Sequence, residues 1–340
     1  MSSNRKSSGM GRLSGFLKDW MLVLSMAAGA LIYLVYMGIP SLAPAAPALY
    51  RTVTVLQPTL LFILLFLAFC RISPKDMRPR KWHLWLLVFQ VAAFSFFAFL
   101  EIILPGDHWK VLLESAMLLF ICPTATAAAV VTARLDGDAP GITTYLILIN
   151  LVTAVSVPLL IPLVHPDSEM TFMVSFSMIM AKVFPLLICP CILAWIVRFT
   201  MPKFHRKIIK YENLPFYIWS VNLMLAILMT TRSIVHSTVP VGYQAGIAAV
   251  SLFCCFLQFR LGRVIGRKYG AQVTAGQALG QKNTVFAIWM GYTFMTPVTS
   301  IAGGFYSIWH NAFNSWQLYR KRHGDAGNIQ DAEARFAEKM

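Results

Sequence analysis

The sequence predicts an all-α integral membrane protein of ten transmembrane helices, built as two five-helix repeats of inverted orientation. Three observations carry this. Of 340 residues, 57% are apolar and only 13% charged, against about 25% charged in an ordinary soluble domain, and mean hydropathy is +0.64. The apolar residues fall into blocks of bilayer-spanning length, and the basic residues between those blocks alternate from side to side. Such a composition excludes a disordered chain, a coiled coil and almost any soluble enzyme. A formal charge of +15 would point to nucleic acid in a soluble protein. Here the charges occupy short loops, so the expected partner is the lipid bilayer and no nucleic-acid partner is expected.

Residues 1–19 carry Arg5, Lys6, Arg12 and Lys18 among Ser and Gly, with no cleavage-type site following. They read as a cytoplasmic tail and not a signal peptide. From Trp20 to Tyr319 there are 300 residues, and a span of about 20 residues plus its loop uses about 30. Ten spans fit, in one transmembrane domain over 20–319: 20–38, 52–70, 82–103, 109–133, 141–164, 170–198, 214–232, 242–260, 272–294 and 299–319. Residues 320–340 form a second, polar cytoplasmic tail.

The basic residues test the count. With the N-terminus inside, 24 Lys/Arg fall in cytoplasmic segments and 3 in the outer loops. That asymmetry fits an even number of spans with both termini cytoplasmic, in a bacterial inner membrane or its equivalent. Lys182 and Lys282 belong to neither side, because they sit within apolar runs. The six cysteines (Cys70, Cys122, Cys189, Cys191, Cys254 and Cys255) lie in or against apolar blocks without zinc-type spacing, which predicts packing roles. No cofactor is expected.

Five spans plus five invite a search for matching interruptions, since transporters with inverted repeats unwind corresponding helices. The fourth span contains Cys122-Pro123-Thr124-Ala125-Thr126, where proline removes a backbone donor and opens the helix. The ninth carries Gly280-Gln281-Lys282-Asn283-Thr284 at its centre. Pro123 lies 103 residues after Trp20 and Lys282 lies 111 after Thr171, so both interruptions fall in the fourth span of their half. Taken singly they would be a proline kink and a polar patch; the matched position joins them. Opened helices are tolerated in a bilayer only beside a cavity, and half-helix N-termini attract anions. Two crossing broken helices therefore point to transport.

These motifs resemble the bile acid:sodium symporter family over most of the chain. Residues 123–132 (PTATAAAVVT) followed by Gly137-Asp138 look like that family's Pro-Gly-Gly-Thr-x-Ser-Asn-Val-x-Thr … Gly-Asp motif. Residues 280–284 look like its Gly-x-Gln-Asn-Thr motif, and Ser307 to Asn311 is similar to the last helix of bacterial members. The resemblance implies a panel of spans 1, 2, 6 and 7, a core of spans 3–5 and 8–10, and a substrate cavity between them. Transport of a small organic anion by alternating access is the function implied.

The departures concern sodium. The family's Ser-Asn pair past the first break reads Ala128-Ala129, and the fifth-helix hydroxyl positions fall on Ile142 and Leu146, with Thr143 and Thr144 close by but pointing elsewhere. The acidic position before the second break falls on Ala278, or on Gln277 with a one-residue slip. The glutamine of the second sodium site becomes Lys282. An ammonium there repels sodium strongly in a low-dielectric site. Both sodium sites look dismantled, so no metal site is expected and transport is expected to be sodium-independent.

The candidate substrate-binding or coupling residues are thus Thr124, Thr126, Gln277, Gln281, Lys282, Asn283, Lys182 and Asn222. A mid-bilayer lysine is costly unless it faces a cavity or a partner. Lys282 is read as a fixed cation tying the broken helices together through their carbonyl ends, with protons as the candidate coupling ion. Lys182 beside Pro185 would favour an anionic substrate if it faces the cavity, or would pack against a carboxylate such as Glu114. Glu114 itself is expected to be solvated at the interface. Asn150, Asn222, Gln90 and Gln258 read as interhelical hydrogen bonds, and Asn283 as a cap for freed backbone groups.

Two other classes compete. A cation/proton antiporter shares crossed broken helices but needs acids at the crossing, where this chain has none. A membrane-embedded sensor or acyltransferase would need a soluble domain or a catalytic cluster, and His310 alone is not one. No catalytic residue is assigned.

Overall fold

The computed structural model describes residues 20–104, 107–165, 171–237 and 239–322. Among these residues the chain is helical, with no strand beyond one isolated bridge. The first helix, α1 (Met21–Met37), meets a 3-10 turn at Pro40–Ala45 and runs into α2 (Ala46–Phe69). The proline at the start of that turn accounts for the bend, since proline suits the first turn of a helix and not its interior. A second short turn, Pro74–Asp76, leads to α3 (Lys81–Ile103).

Then come α4 (Asp107–Ile121), α5 (Ala128–Arg134) and α6 (Ala139–Val164). Asp138 starts α6 as its N-cap, with Oδ1 accepting from Gly141 N at 3.0 Å, the usual service of an aspartate there. The span expected over 170–198 is not one helix. It divides into α7 (Phe172–Val183), a π-helical turn at Phe184–Ile188, and α8 (Cys189–Thr200). Pro185 and Pro190 each remove a ladder donor there, and a π turn is one way for a helix to absorb that loss.

A helix not foreseen, α9 (Pro202–Ile209), has no buried residue and carries Lys203, Arg206 and Lys207. The rest is α10 (Leu214–Val235), α11 (Val241–Arg267), α12 (Gln272–Gly280), α13 (Thr284–Phe294) and, after a turn at Pro297–Thr299, α14 (Ser300–Arg322).

Among the described residues, five stretches are long and apolar enough to cross a membrane: Pro40–Phe69, Lys81–Ile103, Ala139–Val164, Leu214–Val235 and Val241–Arg267. Met21–Met37, Phe172–Ala181, Cys189–Thr200 and Thr284–Phe294 are shorter apolar helices. Large side chains such as Leu84, Trp85, Phe96, Phe99, Leu159 and Leu163 turn outward, as lipid-facing helices require. Helix α14 is long but less apolar, because Ser307, His310, Asn311, Asn314 and Gln317 form a buried polar stripe along it.

Helix α10 packs against α1 and α2, and α2 also packs against α8. A second set joins α11 to α12, α14 and α4, and α3 to α4 and α6. Gly29 lets α1 touch α10 backbone to backbone, since a Cβ there would lie 3.1 Å from Leu228 N and closer still to the Met224 carbonyl. Gly262 does the same for α11 against α12, where a Cβ would lie 2.9 Å from Gly276 Cα.

Polar contacts sort the helix ends into two groups. At one end Arg71 donates to Tyr211 O (2.8 Å), Arg134 to Asn213 Oδ1 (2.8 Å) and Lys321 to Arg134 O (2.6 Å). Arg80 pairs with Asp138 at 2.5 Å, and Asp138 N donates to Thr274 Oγ1 at 2.8 Å. The basic segments around 71–81, 134 and 201–213 and the end of α14 thus share one face. At the other end Arg232 stacks over Tyr50, and Glu114 holds the connection between α13 and α14. Here the expectation fails: Glu114 is fully buried and not solvated. Thr296 N and Oγ1, Thr299 Oγ1 and His165 surround its carboxylate. The threonines lie far along the chain from Glu114, so their approach could not be read from the local pattern.

Candidate functional site

Helix α4 stops at Ile121 because Pro123 follows, and α12 stops at Gly280 with Gln281 extended. The two open segments lie antiparallel and pair. Ala125 N donates to Gln281 O at 2.8 Å and Asn283 N donates to Pro123 O at 2.9 Å, so Thr124 and Lys282 sit opposite one another. The breaks therefore meet as backbone, each supplying partners the other lost on unwinding.

A helix end leaves its last carbonyls without intrahelical donors, and an unmet buried one costs about 1–3 kcal/mol. At the end of α4 each has a donor. Leu118 O takes Cys122 N (2.9 Å), Leu119 O takes Gln258 Nε2 (3.3 Å), Phe120 O takes Gln90 Nε2 (2.6 Å), and Ile121 O takes Thr153 Oγ1 (3.0 Å). Gln90 Nε2 also reaches Cys122 O at 3.3 Å, while its amide oxygen accepts from Tyr145 OH. At the end of α12, Ala278 O accepts from Thr124 Oγ1 (2.5 Å) and Gly280 O from Tyr306 OH (2.7 Å). Asn283 caps α13, its Oδ1 accepting from Phe286 N at 3.2 Å.

Lys282 is fully buried. Its backbone N–H donates to His310 Nδ1 at 3.3 Å, and its Nζ donates to Phe120 O at 3.4 Å. The ammonium thus lies at the C-terminal end of α4, where helix carbonyls concentrate negative charge. Among the described residues it makes no ion pair with a carboxylate.

A cavity of about 50 Å³ opens beside the crossing, lined by Thr126, Gln281, Lys282, Asn283 and Thr284 from the breaks, Asn222 and Trp219 from α10, and Ser307, His310 and Asn311 from α14. Of the sequence candidates, Thr126, Gln281, Lys282, Asn283 and Asn222 line it. Thr124 is at the crossing but spent on Ala278 O. Gln277 lies one turn before the break and donates to Gln317 Oε1 at 2.6 Å. Lys182 belongs to α7, and its side chain lies outside the described residues.

Among the described residues, three amide oxygens of cavity residues, Asn222 Oδ1, Gln281 Oε1 and Asn311 Oδ1, are buried without a hydrogen-bond partner. Sequence reasoning assigned no substrate role to Ser307, His310 or Asn311 from α14, although their spacing by three and four residues puts them on one face. Thr153 and Tyr306, which cap the breaks, were also missed; a hydroxyl in an apolar helix gives no local sign of which carbonyl it will meet.

Of the positions that the family resemblance aligns with sodium, Lys282 lines the cavity and the others are packed among apolar side chains. Ala128, Ala129, Ile142 and Ala278 pack into one apolar cluster with Trp82, Leu86, Tyr145 and Ala275. Leu146 is buried in the neighbouring cluster, and Thr144 Oγ1 is turned to Pro140 O at 3.0 Å. Compared with known proteins, the chain matches no family model and no curated relative.

Proposed function

We propose that the chain is a secondary transporter of a small organic anion, working by alternating access and without sodium. In this reading it has ten spans in two inverted five-helix repeats, with helices α4–α5 and α12–α13 as the broken pair and both termini on the basic, cytoplasmic face. The observation that carries it is the pairing of the two breaks, Ala125 with Gln281 and Asn283 with Pro123, beside a cavity lined by both polar and apolar side chains. Opened backbone inside an apolar bundle is costly and is kept where it lines a path for solute.

The cavity lies between the breaks and α10, and at about 50 Å³ it has room for a water or two. Ligand pockets run from about 300 Å³, so α10 with Trp219 and Asn222 must move off the crossing for substrate to enter. That motion is the alternation between panel and core. The N-terminus of α13 opens on the cavity through Asn283 and Thr284 and favours negative charge. The three unpartnered amide oxygens ask for a donor, so the favoured substrate carries a hydroxyl or amide as well as its anionic group. Lys282 stands where the resemblance places a coupling ion, and protons remain the candidate driving ion.

The test is uptake by purified protein in liposomes, screened with carboxylates bearing or lacking a hydroxyl or amide. Uptake of a donor-bearing anion, unaltered by exchanging sodium for potassium, supports the reading. Absence of uptake for every anion across imposed sodium, potassium and pH gradients rejects it.

A further inference from the structure

At the end opposite the basic loops, three potential metal ligands converge from separate elements. Glu101 lies in the last turn of α3, Glu114 in α4, and His165 directly after α6; their ligand atoms all fall within 4.8 Å of one another. Glu114 is held in place. Its Oε1 accepts from Thr296 Oγ1 at 2.7 Å, its Oε2 from Thr296 N at 3.1 Å and Thr299 Oγ1 at 2.5 Å, and His165 Nε2 lies 3.2 Å from Oε1.

Glu101 is the unexplained member. Both its carboxylate oxygens are buried, and neither has a hydrogen-bond partner among the described residues. Lys110, a turn earlier than Glu114 on α4, is an electrostatic neighbour but forms no ion pair with those oxygens. Two carboxylates side by side away from water repel each other, and the arrangement calls for positive charge between them.

We propose that Glu101, Glu114 and His165 bind one divalent transition-metal ion of the zinc class, which staples α3, α4 and α6 together at this end. Two carboxylates and an imidazole make a mixed oxygen–nitrogen set, which suits zinc or manganese; calcium and magnesium prefer oxygen alone, and copper(I) prefers sulfur. One dication balances the charge of both carboxylates. Ligand atoms about 2.0–2.2 Å from a shared zinc ion lie somewhat closer together than 4.8 Å, so binding draws Glu101 inward by a side-chain adjustment. Thr296 and Thr299 orient Glu114 as outer hydrogen-bond partners of a ligating carboxylate do. The ion also ties in the α13–α14 connection through those threonines. This inference does not rest on the transport reading, and its test does not measure transport.

The experiment uses full-length protein purified in detergent with a histidine-free tag, stripped with chelator and titrated with zinc, with manganese, calcium and magnesium as comparisons. Bound metal is counted by elemental analysis, and thermal unfolding is followed in parallel. One equivalent of zinc per chain is expected, with an upward shift of the melting midpoint. Glu101→Gln and His165→Asn should each lose that equivalent and the shift while retaining the metal-free midpoint to within a few degrees. If wild type binds no zinc and its midpoint is unmoved, the proposal fails. Zinc bound equally by wild type and both variants also overturns it, since the ligands then lie elsewhere. Wild-type titration decides the matter even if a variant does not fold.

Discussion

Asn283 donates its backbone N–H to the carbonyl of Pro123 at 2.9 Å, while its side chain caps the helix that begins at Thr284. One residue therefore serves both breaks, closing the first with its backbone and starting the half-helix after the second with its side chain. Pro123 lies just past the end of α4, where its carbonyl has no intrahelical donor; besides Asn283 N it meets, among the described residues, only the Cys122 thiol, at 3.6 Å. The crossing is thus a small antiparallel pairing enclosed in a helical bundle, and its geometry depends on both strands being open together.

Asn283→Ala removes the cap and leaves the backbone bond. A lost cap costs about 1 kcal/mol, so the melting midpoint of the purified protein should fall modestly, with a larger loss of uptake because the opened segment shifts. Asn283→Asp or Asn283→Ser keeps a capping oxygen and should recover the midpoint. Equal midpoints for Asn283→Ala and wild type would remove the cap from the account.

Gln90 offers a harsher test. Its amide donates to Phe120 O and Cys122 O, and its oxygen accepts from Tyr145 OH. Gln90→Leu leaves Cys122 O and the Tyr145 phenol without these partners, and Phe120 O with only its 3.4 Å contact to Lys282 Nζ. At about 1–3 kcal/mol for each unmet group, several kcal/mol are at stake. The midpoint should drop well beyond that of Asn283→Ala. A variant as stable as wild type would show that water reaches the end of α4.

Which parts of this were legible in the sequence follows from the range of the interactions. Proline at 123 and the polar run at 281–283 are local signals, and both helices open where those residues stand. Asn283 as a cap was equally readable, because a cap acts within three residues of itself; Asp138 entered only as part of a motif, and its capping of α6 is seen in the structure. Gln90 and Gln258 were legible as interhelical bonds, but not as donors to the last carbonyls of α4. That pairing is set by packing across more than a hundred residues for Gln258. Glu114 was misread for the same reason: from α4 alone it lies near Lys110 and water, whereas Thr296 and Thr299 arrive from the other end of the chain. The π turn at Phe184–Ile188 hides behind a hydropathy run that looks continuous. Only Pro185 and Pro190 mark it.

The ten-span topology predicts opposite exposure for two loops. Position 46 begins α2, whose first turns include Tyr50 under Arg232, and position 208 lies in α9, next to the segment that Arg71 binds. Single cysteines introduced at Ala46 and Ile208 should label from opposite sides of the membrane with an impermeant thiol reagent. The native cysteines are buried or half-buried and set a low background. Labelling of both sites from the same side would refute the inverted arrangement.

The last prediction concerns sodium. A coupling ion must bind one conformation better than the other, or it cannot bias the equilibrium between them. Sodium needs several oxygen ligands, and where the resemblance would place them this chain packs Ala128, Ala129, Ile142 and Ala278 against Trp82 and Tyr145. At the second position Lys282 already spans the crossing, its ammonium on Phe120 O and its backbone on His310. Uptake should therefore be the same in sodium and potassium at equal ionic strength. Lys282→Gln removes the charge that faces the carbonyl end of α4 without supplying the missing hydroxyls, so it should abolish uptake and leave it unresponsive to sodium. Adding Ala128→Ser and Ala129→Asn to that variant would bury new polar groups in a dry cluster at about 1–3 kcal/mol each. That triple variant should lose stability before it gains an ion site. Reproducible stimulation of wild-type uptake by sodium is the result that would show oxygen ligands at the crossing that these residues do not provide.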